Sequence, residues 1–449
     1  MSDHSIDRRR FLQASAVLPL AGAAVFAAET TAPAPGGNAA EPGSWRSNPV
    51  IQEARQVALE ILKPSQKDLQ HGLELHAESL VFESYGFSPR AAVDGDAIQA
   101  AIEAGASDVE IQDMQERMSM TRAATDPAEL AEFKQAWEAA GVTCIFQNAG
   151  EEGQSVMRLL KRLAHFTRLT DLLPDFLPKA ATPDEIVAAK RAGRHCLYFT
   201  GNGVPLAEQW VSIEDELRYI RIFFELGIRM MHLTYNRRNM IGDGCAEPAN
   251  AGLSDFGRAV VAEMNRVGVI PDCAHSGWQT SLEAAKISQK PMVASHTTCA
   301  ALNPHIRSKP DEVIRAICDT GGLVGICCIP SFLGGKGDIT AMLDHIDHVV
   351  KKFGADHAAI GMDVAYTSRN AAAENKKISG RRKSRARWEA FWPQGALGHE
   401  SREAALSMAW TNWPLFTVGM VQRGYRDEDI QKVLGQNVLR VARAALEGV

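Results

Sequence analysis

The sequence predicts an α/β fold of the (β/α)8 TIM-type barrel class, and three observations carry that expectation. Eight short apolar runs recur along residues 46–449, and each gives way to polar residues. Stretches with helical periodicity separate them, several opened by Ser, Thr or Asp and closed by Gly. No GxGxxG follows the first run, which weakens a dinucleotide-binding open sheet. Eight strand and helix units within 449 residues favour a closed parallel barrel over a doubly wound sheet.

Taken in order, the strands are expected at Leu80–Ser84, Val142–Gln147, Cys196–Thr200, Met230–Thr234, Val269–Cys273, Met292–Ser295, Leu323–Ile329 and Ala358–Met362. Helices are expected near 97–105, 153–168, 213–226, 253–267, 277–288, 310–320 and 339–354. The stretch 370–405 interrupts the alternation with a basic cluster, Lys376–Arg387, followed by Trp388, Phe391 and Trp392. It reads as an insertion covering the barrel mouth, its charges forming a solvated face.

The N-terminus reads as targeting rather than fold. Ser5-Ile-Asp-Arg8-Arg9-Arg10-Phe11-Leu12 precedes an apolar, small-residue stretch from Ala14 to Ala28, the pattern of a twin-arginine export signal over 1–28. Residues 29–45 read as a flexible linker, and 46–449 as one domain. The expected location is periplasmic or extracellular, reached through the twin-arginine machinery, with an N-terminal anchor as the competing reading. No later segment is apolar for long enough to span a bilayer. A hydrophobic content of 45% supports a large core. A net charge of −6 with no extended basic run argues against a nucleic-acid partner. The eight cysteines form no CxxC pair and read mostly as small buried hydrophobes.

In a barrel of this class, chemistry sits on the loops after the C-terminal strand ends. Those ends supply Glu83 with Ser84, Gln147 with Asn148, Asn202, Tyr235 with Asn236, Asp272, His275, His296, Ser331 and Asp363. His275 and His296 each close an apolar run, and one helix separates them, so neighbouring strand ends could hold one metal ion between two neutral imidazoles. Read without function, the pair are satisfied polar loop residues, Asp363 is a helix N-cap, Arg307 is a surface arginine, and Asn148 and Asn202 cap turns.

From about 195 to 365 the sequence resembles the membrane dipeptidase family (Peptidase family M19), amidohydrolase-type barrels that hydrolyse dipeptides at a two-zinc centre. The likeness is carried by Leu226-Gly-Ile-Arg-Met-Met-His-Leu-Thr-Tyr-Asn236, Leu253-Ser-Asp-Phe-Gly-Arg, Glu263-Met-Asn-Arg-Val-Gly268, Asp272-Cys-Ala-His-Ser276, Ser295-His-Thr-Thr-Cys-Ala-Ala301 and Arg307-Ser-Lys-Pro-Asp-Glu-Val-Ile-Arg-Ala316. The resemblance implies that His275 and His296 bind one zinc and that Arg307 holds the substrate carboxylate. It also implies that Asp363 carries the proton from the attacking water to the leaving amine. Related barrels often form dimers, so a homodimer is an open expectation.

Three family positions depart from the pattern. The Asp-Gly-His-x-Asp signature of the first strand is replaced by Val81-Phe-Glu-Ser-Tyr-Gly-Phe87, the bridging glutamate by Gly201 or Asn202, and the histidine that polarises the carbonyl by Tyr235. With the bridge and the first metal's ligands gone, one divalent ion, zinc by preference, is expected rather than two. Three arrangements fit these residues. In the first, His275 and His296 with Asp363, or with a repositioned Glu83, hold a single metal that activates water. In the second, a metal-free hydrolase uses Glu83, Asp363 and Tyr235 for acid–base work on another amide or ester. The third is a barrel that binds a peptide-like or carboxylate ligand without chemistry. The first is the expectation favoured here, with Asp363, Tyr235 and Glu83 as catalytic candidates, Arg307 and Asn202 binding substrate, and a small peptide or amide as substrate.

Overall fold

Strands covered on both faces must be apolar along nearly their whole length, and runs of that kind build the wall of this protein. A computed structural model describes residues 44–150, 153–380, 388, 390–398 and 400–449. The wall strands are β1 (Phe82–Gly86), β2 (Cys144–Asn148), β3 (Cys196–Gly201), β4 (Ile228–His232), β5 (Ile270–Asp272), β6 (Val293–Cys299), β8 (Leu323–Ile326) and β9 (Ala358–Ile360). They pair in parallel in the order β1-β2-β3-β4-β5-β6-β8-β9, and a two-residue strand, β7 (Ser308–Lys309), lies beside the far end of β6. All eight expected strands are present, and the chain is a nearly closed (β/α)8 barrel.

Alternation along the strands separates two apolar clusters. Phe82, Phe146, Tyr198, Met230, Ile270, Val293, Leu323 and Ala359 face inward and fill the barrel, and Val438, Val441 and Ala442 of the helix Asn437–Leu446 pack against them. Phe82 stacks on Phe146 with centroids 5.2 Å apart. Residues of the opposite parity, among them Ile145, Leu197, Met231, Ala294 and Ile360, pack outward against the helices.

The next inward layer is polar and small. Two residues beyond the apolar layer come Ser84, His232, Asp272, Ser295, Gly325 and Gly361. Ser84 Oγ donates to the Ser295 carbonyl at 2.7 Å, and the two glycines make this reach possible. A Cβ at Gly325 or Gly361 would lie 2.0 or 2.1 Å from that carbonyl oxygen. The same parity turns Glu83 outward, toward the helix layer.

Sequence periodicity anticipated the helices that follow most strands. It missed Pro49–Leu62 and Gln66–Glu78, although both open with good caps: Asn48 accepts from Val50 and Ile51 amides before Pro49, and Ser65 accepts from the Asp68 amide. It also missed Trp413–Gln422, which is apolar all round and lies against Gln66–Glu78, where Gly72 lets the two backbones approach. The expected insertion, 370–405, holds the helix Ala371–Lys376 and the start of the helix Arg402–Ser407. Much of the basic cluster, 381–387, and the whole targeting segment lie outside the described residues. Among the described residues no helix is long and apolar enough to cross a membrane, and all eight cysteines are unpaired.

Candidate active site

At the C-terminal mouth a cavity of about 280 Å³ is lined by Tyr85, Asn202, Tyr235, His275 and Asp363, together with Trp388, Trp392 and Leu397 of the insertion. Its size lies at the small end of small-molecule sites. His275 is buried and stacks on Tyr235 with ring centroids 4.0 Å apart. Beneath it lies His296, fully buried and stacked on Tyr85 at 3.8 Å. The two imidazoles meet edge to edge, with His275 Nε2 and His296 Nε2 3.0 Å apart.

The protons on these rings follow from their partners. His275 Nδ1 lies 2.7 Å from Asn236 Oδ1, which also accepts from the Cys245 thiol at 3.2 Å. An amide oxygen only accepts, so His275 carries its proton on Nδ1. Ser295 Oγ donates to Asp272 Oδ2, since a carboxylate cannot donate in return, and it therefore accepts from His296 Nδ1 at 2.8 Å. Both Nε2 atoms are then lone pairs pointed at each other. Burial, then the Arg307 guanidinium, holds both rings well below the ordinary histidine pKa, so they stay neutral. Two facing lone pairs in a dry site repel unless a cation lies with them, and neutral imidazole nitrogens are what zinc-class ions bind. The residues present therefore fit a divalent ion.

A third imidazole, not anticipated from the sequence, completes the cluster. His232 at the end of β4 is fully buried, and one nitrogen from each of His232, His275 and His296 lies within 4.8 Å of the others. Its ring centroid is 5.3 Å from that of His275 and 5.2 Å from that of His296. His232 Nε2 is 2.9 Å from Asp272 Oδ2, but the two are misaligned for a directed hydrogen bond, so the contact acts as an electrostatic pair. Burial pushes the Asp272 carboxyl up, yet His232 and the bonds from Ser295 together outweigh it and keep Asp272 below the ordinary aspartate value. The signal for His232 was its parity, two residues beyond inward Met230 and paired in register with Asp272.

The other expected residues are placed as follows. Asp363 sits on the cavity wall with φ 59°, a left-handed conformation that Asp adopts more readily than most side chains. Asn202 is buried on the cavity wall and accepts from the Tyr85 hydroxyl at 3.3 Å. Arg307 is buried behind His296, donating to the His296 carbonyl at 2.8 Å and the Ala274 carbonyl at 3.4 Å, and does not line the cavity.

The structure does not bring Glu83 to the imidazoles. It points out of the barrel wall, where Oε1 accepts from the Met362 amide at 3.2 Å and Oε2 from the Trp410 indole at 2.9 Å. Burial raises its pKa well above the usual carboxylate range, the nearby Asp363 charge adding to the effect against those two bonds. A raised folded-state pKa means that the native state binds the extra proton. Its stabilising contribution is therefore full below the unfolded value near 4.5 and declines as pH rises toward the folded value. Glu83→Gln is expected to remove that decline. Urea midpoints from pH 4 to pH 8 should fall more steeply for the native sequence than for the variant, and parallel curves would mean that Glu83 is ionised in the fold.

Fold and site together define a (β/α)8 barrel with a buried imidazole cluster under a polar mouth rimmed by aromatic side chains. The sequence model of the membrane dipeptidase family (Peptidase family M19) matches residues 99–375. The chain belongs to that family. It is 28% identical over 281 residues to dipeptidase tcpJ of Claviceps purpurea (strain 20.1), covering 62% of this chain and 57% of that protein. It is 25% identical over 291 residues to dipeptidase verJ of Clonostachys rogersoniana, covering 64% and 65%. The matches thus span somewhat over half of these relatives. Among solved structures, an amidohydrolase from Pseudomonas aeruginosa superposes with a TM-score of 0.60 at 25% identity, over 83% of this chain and 98% of its own.

Proposed function

We propose that this protein is an exported metal-dependent hydrolase that cleaves dipeptides or related small amides. The observation that carries the reading is the convergence of Tyr235, Asn202, Asp363 and His275 on one cavity above the facing nitrogens of His275 and His296. Family membership and the likeness to two fungal dipeptidases support the substrate class. Export rests on the N-terminal arginines and the apolar stretch behind them.

His275 and His296 would hold a divalent ion, zinc by the chemistry of the donors, which when bound supplies a Lewis acid and lowers the pKa of water. Asp363 takes the proton of the attacking water and returns it to the leaving amine. The Tyr235 phenol, fixed by its stack on His275, donates to the oxygen that gains charge at the carbonyl. Asn202 offers its amide to the substrate from the opposite wall. Arg307, locked by two backbone carbonyls, acts through its charge and favours a substrate that carries a carboxylate.

A second reading is a barrel that binds a peptide-like ligand without turnover. Tyr85, Phe87 and Asn202 favour it, because the cavity wall carries neutral groups where a two-metal site needs carboxylates. Elemental analysis of protein purified without chelator, run beside a screen of L,L- and L,D-dipeptides, separates the two. About one equivalent of divalent metal per chain with hydrolysis is the expected result. No metal and no turnover would establish the binding barrel instead.

A further inference from the structure

We infer that His232 is the third ligand of a single-ion site, so that His232, His275 and His296 together bind one divalent cation of the zinc class. The inference rests on the metal-dependent reading for the ion's place in catalysis, but the ligand set is argued from this chain alone. His232 is fully buried, and neither of its ring nitrogens makes a directed hydrogen bond among the described residues, although Asp272 Oδ2 lies 2.9 Å from Nε2. A buried polar nitrogen left unmade costs about 1–3 kcal/mol, so an orphan at the centre of a polar layer calls for a partner. Asp272 lies against the Nε2 side of the ring and draws the proton there, which in a neutral ring leaves the lone pair on Nδ1.

Spacing agrees with this assignment. Zn–N bonds of about 2.0–2.1 Å bring nitrogens on one ion to roughly 3.3 Å of each other, and here the His275 and His296 pair stands at 3.0 Å, with one nitrogen of each of the three rings within 4.8 Å of the others. Two of the rings are also held from outside the cluster by hydrogen bonds, His275 by Asn236 and His296 by Ser295, while the Asp272 charge lies against His232. Outer partners of this kind fix the orientation of metal-binding imidazoles. Among the described residues no carboxylate joins the three imidazoles as a ligand, so the site suits nitrogen-preferring ions such as zinc, cobalt or nickel over magnesium or calcium. A three-nitrogen set also leaves a fourth position open on a tetrahedral ion, and His275 is the ring that reaches the cavity.

The test uses the full-length protein loaded with zinc or cobalt. X-ray absorption on the native sequence should count three imidazoles on one ion, and a chelator-competition titration should show His232→Ala binding zinc at least about 100-fold more weakly with His275 and His296 intact. Two imidazoles, or unchanged affinity in the variant, would overturn the assignment. If His232→Ala does not fold, the absorption count on the native protein decides alone. Dipeptide turnover, measured in parallel, separates this inference from the functional reading. Three imidazoles without turnover keep the site and remove the dipeptidase, and turnover with an ion indifferent to His232 does the reverse.

Discussion

Asp363→Asn is expected to lower kcat/KM for the best dipeptide by about 10²–10⁴-fold, the usual contribution of a positioned acid or base, while the urea midpoint stays close to that of the native sequence. Asn is the informative replacement because the backbone at this position has φ 59°. Asparagine, like aspartate, tolerates that left-handed region, whereas another side chain adds about 1–2 kcal/mol of strain and confounds loss of chemistry with loss of stability. Steady-state kinetics should show the deficit in kcat with KM little changed, as fits a group that acts on a proton in the transition state. A fully active Asp363→Asn protein would mean that the proton is handled by another residue.

Removing both facing imidazoles has the second large effect. The double variant His275→Ala, His296→Ala is expected to lose its bound metal and, with it, all measurable hydrolysis. The donor nitrogens there are neutral, buried and turned toward one another, so no nearby side chain could replace them without rebuilding the layer. Metal content per chain, measured after gel filtration in chelator-free buffer, is the direct readout. An unchanged content in a folded double variant would sink the proposal that these rings hold the ion. The deletion creates two cavities beneath the mouth, so circular dichroism belongs beside the metal assay.

The fold was legible because parallel, doubly covered strands must be apolar runs, and Val269–Cys273 or Leu323–Ile329 cannot easily be read otherwise. Helices wrapped around the outside were harder to see. Trp413–Gln422 has no polar face and so no helical period, and the two N-terminal helices precede the alternation that marks the barrel. In the site, residues at strand ends were found, because a polar residue closing an apolar run is conspicuous. The direction in which such a residue points is set by strand parity, which that signal does not contain. Parity turns Glu83 out toward Trp410 and turns His232 in beside Asp272, since Phe82 and Met230 are the inward residues of their strands. Arg307 illustrates a different limit, because its partners are backbone carbonyls of two other loops, which no local pattern specifies.

The aromatic rim offers an optical handle. Trp388 and Trp392 line the cavity 5.6 Å apart and are only partly buried, while Trp137, Trp410 and Trp413 are sealed in the interior. Emission from the sealed indoles is set by surroundings that a ligand does not reach, and exposed Trp210 and Trp278, away from the cavity, add a constant long-wavelength background, so the change on ligand entry belongs to the rim. A molecule that enters the mouth displaces water from the two rim indoles and shifts their share of the emission to the blue. Occupancy can thus be followed in the unlabelled protein with no turnover at all.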